Sequence, residues 1–350
     1  MWLGVALSNA PLPLWVNDVN FALWKDYMLL PLIFLAAGLV VEDRQHIRNL
    51  VIVAAASIFL IDRASLTSSL SHSWGHFDEN KRDGGPLGFA GSNGLAAFLA
   101  QFSLFLWAFV QFTKRKKAKL VLYSLVAATL IATMYAFSRA GYIAVIAGVV
   151  VLGILKDRKL IPIAVLFLCV WQAVVPAAVS ERVNMTKNAN GQLEASAQER
   201  VDLWTAAKET IESSPIFGVG FGTFQLTAHV DNLRDTHNWY VKVMLETGAI
   251  GMVIALGLIG QMMMLSYFLF RRGRDPLYRG LGLGLFLLMT CSLILNCFGD
   301  RWTYLEIHGM TWVLFGAATR AKQLVLTEAA PFEEASPTEI SPLPAHLAYR

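Results

Sequence analysis

Residues 114–159 read KRKKAKLVLYSLVAATLIATMYAFSRAGYIAVIAGVVVLGILKDRK, and the placing of charge along them decides the fold. The basic cluster Lys114-Arg115-Lys116-Lys117 leads into Leu120–Phe137, which holds no Asp, Glu, Lys or Arg. Arg139 stands alone; a second apolar run follows and ends at Lys156-Asp157-Arg158-Lys159. Runs near 18–20 apolar residues match the ~30 Å hydrocarbon core at about 1.5 Å per helical residue. Backbone groups in lipid must bond within the chain, so both runs read as helices. Basic loops mark the cytoplasmic side, which places the tight turn at 138–141 outside. From Arg139 to Leu155 is 17 residues, about 25 Å of helix. Arg139 therefore sits at or slightly below the outer interface, where a charge is costly and functional by default. On geometry alone, an arginine snorkelling to lipid phosphate is an equal reading.

The same pattern runs through the chain. Of 350 residues 55% are hydrophobic and 15% charged, with mean hydropathy +0.50, against about 25% charged in a soluble domain. The expectation is an all-α, polytopic protein of about nine spans: 27–41, 50–61 (short, tilted or partly re-entrant), 87–112, 119–137, 140–155, 160–179, 250–270, 279–297 and 307–325. Arg44 and Arg48, and Arg271-Arg272-Gly273-Arg274, fall in loops of the same parity as the two clusters above. This predicts N-terminus out and C-terminus in. Residues 1–26 form an N-terminal segment read as the remnant of a further span, 27–325 the membrane domain with a large outer segment at 180–249, and 326–350 a disordered cytoplasmic tail. The net charge of +4 is a topology signal and does not indicate nucleic acid. Cys169, Cys291 and Cys297 lie in or beside apolar runs, without metal spacing, and read as simply buried.

The outer segment carries the chemistry. Glu199–Ile211 reads as an amphipathic helix with Val201, Trp204, Lys208 and Ile211 on one face, lying on the bilayer or on other helices, and it carries Arg200, which alone reads as a solvated residue beside Glu199. Gly218, Gly220 and Gly222 lack the strand–turn–helix context of a nucleotide fingerprint and read as a tight loop. His237 precedes a short helix, which Gly248-Ala249-Ile250-Gly251 divides from the true span. A lone loop histidine is usually inert, yet imidazole is the side chain best suited to general-base work near neutral pH. Tyr240 follows it, Lys242 and Glu246 are an i,i+4 pair on the short helix, and Asp300-Arg301 occupy a short outer turn, lining a site or pairing. His72, His76, Asp78 and Glu79 read as a polar loop in preference to a metal site.

In their order, Ser138-Arg139-Ala140-Gly141, the Arg200 helix, Ser214-Pro215-Ile216-Phe217-Gly218-Val219-Gly220-Phe221-Gly222-Thr223-Phe224, His237-Asn238-Trp239-Tyr240 and Glu246-Thr247-Gly248-Ala249-Ile250-Gly251 resemble the O-antigen ligase and polymerase superfamily. Leu87–Ala96 is similar to that family's small-residue segment, and the resemblance covers roughly 87–325. It implies a glycosyltransferase at the outer face of the bacterial inner membrane, with no metal and no cofactor. Its donor is a glycan on undecaprenyl diphosphate; its acceptor is a hydroxyl on lipid A–core or another glycan, or a protein. The family's arginine pair falls on Arg139 and Arg200 and its catalytic histidine on His237, with Tyr240, Lys242, Glu246 and Arg301 as supporting candidates. Members usually carry more N-terminal helices. Ligase is preferred over polymerase or protein O-oligosaccharyltransferase. A transporter needs ionisable groups near mid-membrane, which these nearly charge-free spans do not offer. A non-catalytic assembly subunit is the remaining reading.

Overall fold

The computed structural model describes residues 18–70, 76–79, 82, 84–86, 91–185, 195–226 and 236–329. Among them are helices and turns and no strand, in line with the all-α expectation. In chain order the helices are α1 (Asp18–Val40), α2 (Arg44–Leu70), α3 (Gly91–Val110), α4 (Lys116–Tyr135), α5 (Arg139–Leu155), α6 (Leu160–Val174), α7 (Ala177–Asn184), α8 (Ala195–Ser213), α9 (Thr223–Leu226), α10 (Trp239–Arg272), α11 (Pro276–Leu295) and α12 (Leu305–Ala329). By length and hydropathy α2, α3, α4, α10 and α11 each suffice to cross a bilayer, and the bent pair α6–α7 makes a sixth. α5 and the Leu29–Val40 part of α1 are apolar but shorter. The chain is a multi-pass membrane protein.

Helix α3 forms the centre: every residue from Gly94 to Leu106 is buried. Helix α11 packs on α3, α10 and α5, while α12 covers α1. The α3–α11 contact depends on small residues, which give membrane helices the close packing that lipid cannot drive. A Cβ at Gly280 would lie 2.7 Å from the Phe109 ring, and one at Gly284 2.8 Å from that of Phe105.

The basic loops meet at one end. The Phe112 ring takes Lys156 Nζ at 5.0 Å and the Arg279 guanidinium at 4.9 Å. Arg44 pairs with Asp275, and Arg320 Nε donates to the Glu42 carbonyl at 3.0 Å.

Several boundaries differ from the sequence reading. Helix α1 starts at Asp18, inside the segment assigned to the N-terminus. The second span is a 27-residue helix in place of the short 50–61 stretch. It runs on through Asp62, buried where Thr129 Oγ1 of α4 donates to its carboxylate at 2.7 Å, so one acidic side chain does lie inside a candidate span. The run 160–179 is broken, because proline has no N–H and drives the preceding residue out of the helical region. Val175, before Pro176, is extended at φ −82°, ψ 152°, and α7 leaves α6 at 107°. Helix α12 reaches Ala329, four residues into the expected tail. Cys291 is buried, whereas Cys169 is exposed on α6; the cysteines are free thiols. Residues 1–17, 87–90 and 330–350, with His72 and Gly191, lie outside the described residues.

Candidate functional site

Arg139 is the first residue of α5. The start of this helix lies close to α3, where Gly141 faces Ala96. The turn before it is tied to the N-terminal end of α3 by Arg82, whose Nη2 donates to Asn93 Oδ1 at 2.9 Å and to the Ala136 carbonyl at 3.4 Å. Arg139 Nη1 donates to the Met185 carbonyl at the end of α7, 3.1 Å away. The broken helix α6–α7 thus folds back onto the arginine.

Arg200 rides on α8, which packs through Leu203 and Ala207 against Phe224 and Leu245. Of the expected face only Ile211 joins that cluster; Val201 and Trp204 are exposed and Lys208 is mostly so. Trp204 instead donates its Nε1–H to the Thr236 carbonyl at 2.8 Å, joining the Arg200 helix to the His237 turn.

The Gly218-x-Gly220-x-Gly222 loop splints the break in α10. At Gly248, φ 64°, ψ −166°, the helical ladder stops. The freed carbonyls of Leu245 and Glu246 accept from Val219 N (2.9 Å) and Gly220 N (3.0 Å), and Ala249 N donates to the Pro215 carbonyl (2.9 Å). A Cβ at Gly248 would sit 2.2 Å from the Ile216 carbonyl oxygen.

His237 sits just ahead of this helix with φ 50°. Asn238 caps α10 by accepting from Tyr240 N and Val241 N. Thr236 Oγ1 donates to the Asn238 carbonyl at 2.9 Å, and Trp239 N donates to the Asn296 carbonyl at 2.9 Å. Among the described residues only Phe137 and His237 are non-glycine residues with positive φ. Such strain persists only where the surroundings fix it, and both residues line the same cavity.

That cavity, of about 580 Å³, joins Arg139, Arg200, His237 and Arg301 with Arg82 and Arg182. Glu79, Glu199 and Asp300 supply its acidic side. Arg82 and Arg182 were not legible as site residues. Their guanidiniums share Glu79, at 2.7 and 3.7 Å, and Arg182 lies over the Phe77 ring at 4.8 Å. Three supporting candidates play other parts. Tyr240 turns to α11 and donates to the Leu293 carbonyl at 2.8 Å. Glu246 accepts from Gly222 N at 3.1 Å. Lys242 is buried against Asp300, 2.8 Å apart. Burial would raise the Asp300 pKa, but the Lys242 charge and the hydrogen bonds from Thr303 hold it below the usual carboxylate range. His76 stands beside Glu181 at 3.7 Å; among the described residues no group of three metal-ligating side chains occurs.

Residues 124–256, from within α4 to within α10, match the family model described as O-antigen ligase (Wzy_C). The match takes in Arg139, Arg200 and His237 and leaves out Arg82 and Arg301. The chain matches no curated protein. The chain is a multi-pass membrane protein whose residues 124–256 are similar to the O-antigen ligase (Wzy_C) family.

Proposed function

We propose that the protein transfers a glycan from undecaprenyl diphosphate to an acceptor hydroxyl, in the manner of an O-antigen ligase, at the outer face of the bacterial inner membrane. The observation that carries this is the convergence of Arg139, Arg200 and His237, from three distant segments, on one cavity. The acceptor oxygen attacks the sugar C1 as the bond from C1 to the diphosphate oxygen breaks. Negative charge grows on the leaving diphosphate, and cations fixed in advance stabilise it most effectively. Guanidinium forks suit phosphate oxygens, and Arg139 and Arg200 take that role. His237 accepts the hydroxyl proton, so the bond-making oxygen enters as an alkoxide-like nucleophile.

The run of the helices supports the expected orientation. α5 and α10 each run from the cavity, at Arg139 and Trp239, to the basic end, at Leu155 and Arg272, and α11 returns. With basic loops inside, the cavity opens outside, the N-terminus lies out and the C-terminus in. Lipid A–core is the preferred acceptor.

Binding of sugar-free undecaprenyl diphosphate to purified protein tests the donor half. Arg139→Lys should weaken it by about tenfold or more, the scale of one lost charged hydrogen bond. Unchanged binding in both Arg139→Lys and Arg200→Lys would remove the diphosphate from this cavity.

A further inference from the structure

The turn between α11 and α12, residues 296–304, is held from both sides. Asn296 Oδ1 accepts from Arg301 N at 2.9 Å and Trp302 N at 3.1 Å, while its Nδ2 donates to the Ser292 carbonyl at 2.7 Å. Asp300 Oδ2 takes Lys242 Nζ at 2.8 Å and Thr303 Oγ1 at 2.7 Å. Trp302 is buried against Trp239, Trp312 and His308, at ring distances of 5.8, 5.9 and 4.8 Å. The same turn leaves Phe298 and Tyr304 each 36% exposed, and both line the cavity with Arg301.

Aromatic rings turned outward from so fixed a turn form a preorganised surface, and preorganisation is what lowers the entropy loss on binding. A pyranose has two kinds of surface to be met: apolar C–H faces that lie flat on aromatic rings, and hydroxyl edges that take hydrogen bonds. Phe298 and Tyr304 offer the first partner, and the five N–H groups of a guanidinium the second. A polyprenyl chain needs only the rings and would gain nothing from Arg301 or from the charged walls.

We infer that this turn is a saccharide platform: Phe298 and Tyr304 stack on a sugar ring of the lipid-linked glycan, and Arg301 holds its hydroxyls. The inference rests on the proposed function and names the residues that read the sugar, where Arg139 and Arg200 hold the diphosphate.

The experiment compares two probes on purified protein in nanodiscs: sugar-free undecaprenyl diphosphate, and the glycan-bearing form extracted from producing cells. Phe298→Ala should weaken the glycan-bearing probe by about tenfold, the scale of one lost stacking contact, and leave the sugar-free probe unchanged. Phe298→Tyr should restore binding of the first. Equal weakening of both probes would place the ring on the polyprenyl chain or in the fold, and overturn the platform; so would no change in either. A wild-type protein that binds neither probe overturns the proposed function itself.

Discussion

At φ 50°, His237 is held in a backbone region that side chains other than glycine enter at a cost of about 1–3 kcal/mol. Trp204 bonds to Thr236 just before it and Asn296 to Trp239 two residues after it, and together they fix that turn. Arg200 drew its role from the order of motifs around it, whereas Arg139 stood out in the sequence as a lone charge between apolar runs and His237 as a lone loop imidazole. Arg82 and Arg182 did not, since Lys81-Arg82-Asp83 and Ser180-Glu181-Arg182 look like ordinary charged loop sequence. Only the fold turns both side chains inward, where they are 8% and 7% exposed. Lys242 read as a partner for Glu246 because spacing is visible along a helix, whereas Asp300, 58 positions away, is not. Breaking a buried pair typically costs about 3–5 kcal/mol. Asp300→Asn should therefore destabilise the protein by about that amount at pH 7, measured by thermal unfolding in detergent. The folded Asp300 pKa is depressed, so its contribution is present above the unfolded value of about 3.9 and fades as pH falls through the lower folded value. Wild-type stability should decline below about pH 4 by a component that Asp300→Asn lacks.

Among the elements, α10 shows the clearest link from sequence to geometry. The stretch Gly248-Ala249-Ile250-Gly251 marked the division between the short outer helix and the span, and the non-helical residue is its first, Gly248. What the sequence did not show is that the glycine loop at 218–222 supplies the missing hydrogen bonds, because that pairing depends on two backbones meeting. Gly248→Ala forces a Cβ against the Ile216 carbonyl and into a strained φ, and should destabilise by at least about 2 kcal/mol. Gly257→Ala, in the same helix with nothing within 4 Å, should be near neutral. Comparable melting temperatures for the two variants would show that the splint is unimportant. The bend at Pro176 was legible from proline chemistry but was passed over in favour of hydropathy. On α8 periodicity marks Val201 and Trp204, whereas packing within the protein selects Leu203 and Ala207, a choice that depends on Phe224 and Leu245.

For the whole molecule, the all-α, multi-pass architecture was legible from charge-free runs and basic loops, while exact helix ends and the burial of Asp62 depended on neighbours. The basic loops gather at one end and the cavity lies at the other. Reporter fusions within 113–118 and 271–275 should report the cytoplasm, and one at Gly191 the outside; a cytoplasmic report at Gly191 would reverse the topology. The chemistry itself is tested most directly by glycan transfer in proteoliposomes containing the lipid-linked donor and the acceptor. His237→Ala should lose about 10²–10⁴ in rate, the usual worth of a general base. Its binding of undecaprenyl diphosphate should stay within about twofold of wild type, because the arginines hold the diphosphate, and His229→Ala should transfer normally. Transfer by His237→Ala at the wild-type rate, with the protein correctly inserted, would contradict its role as the base.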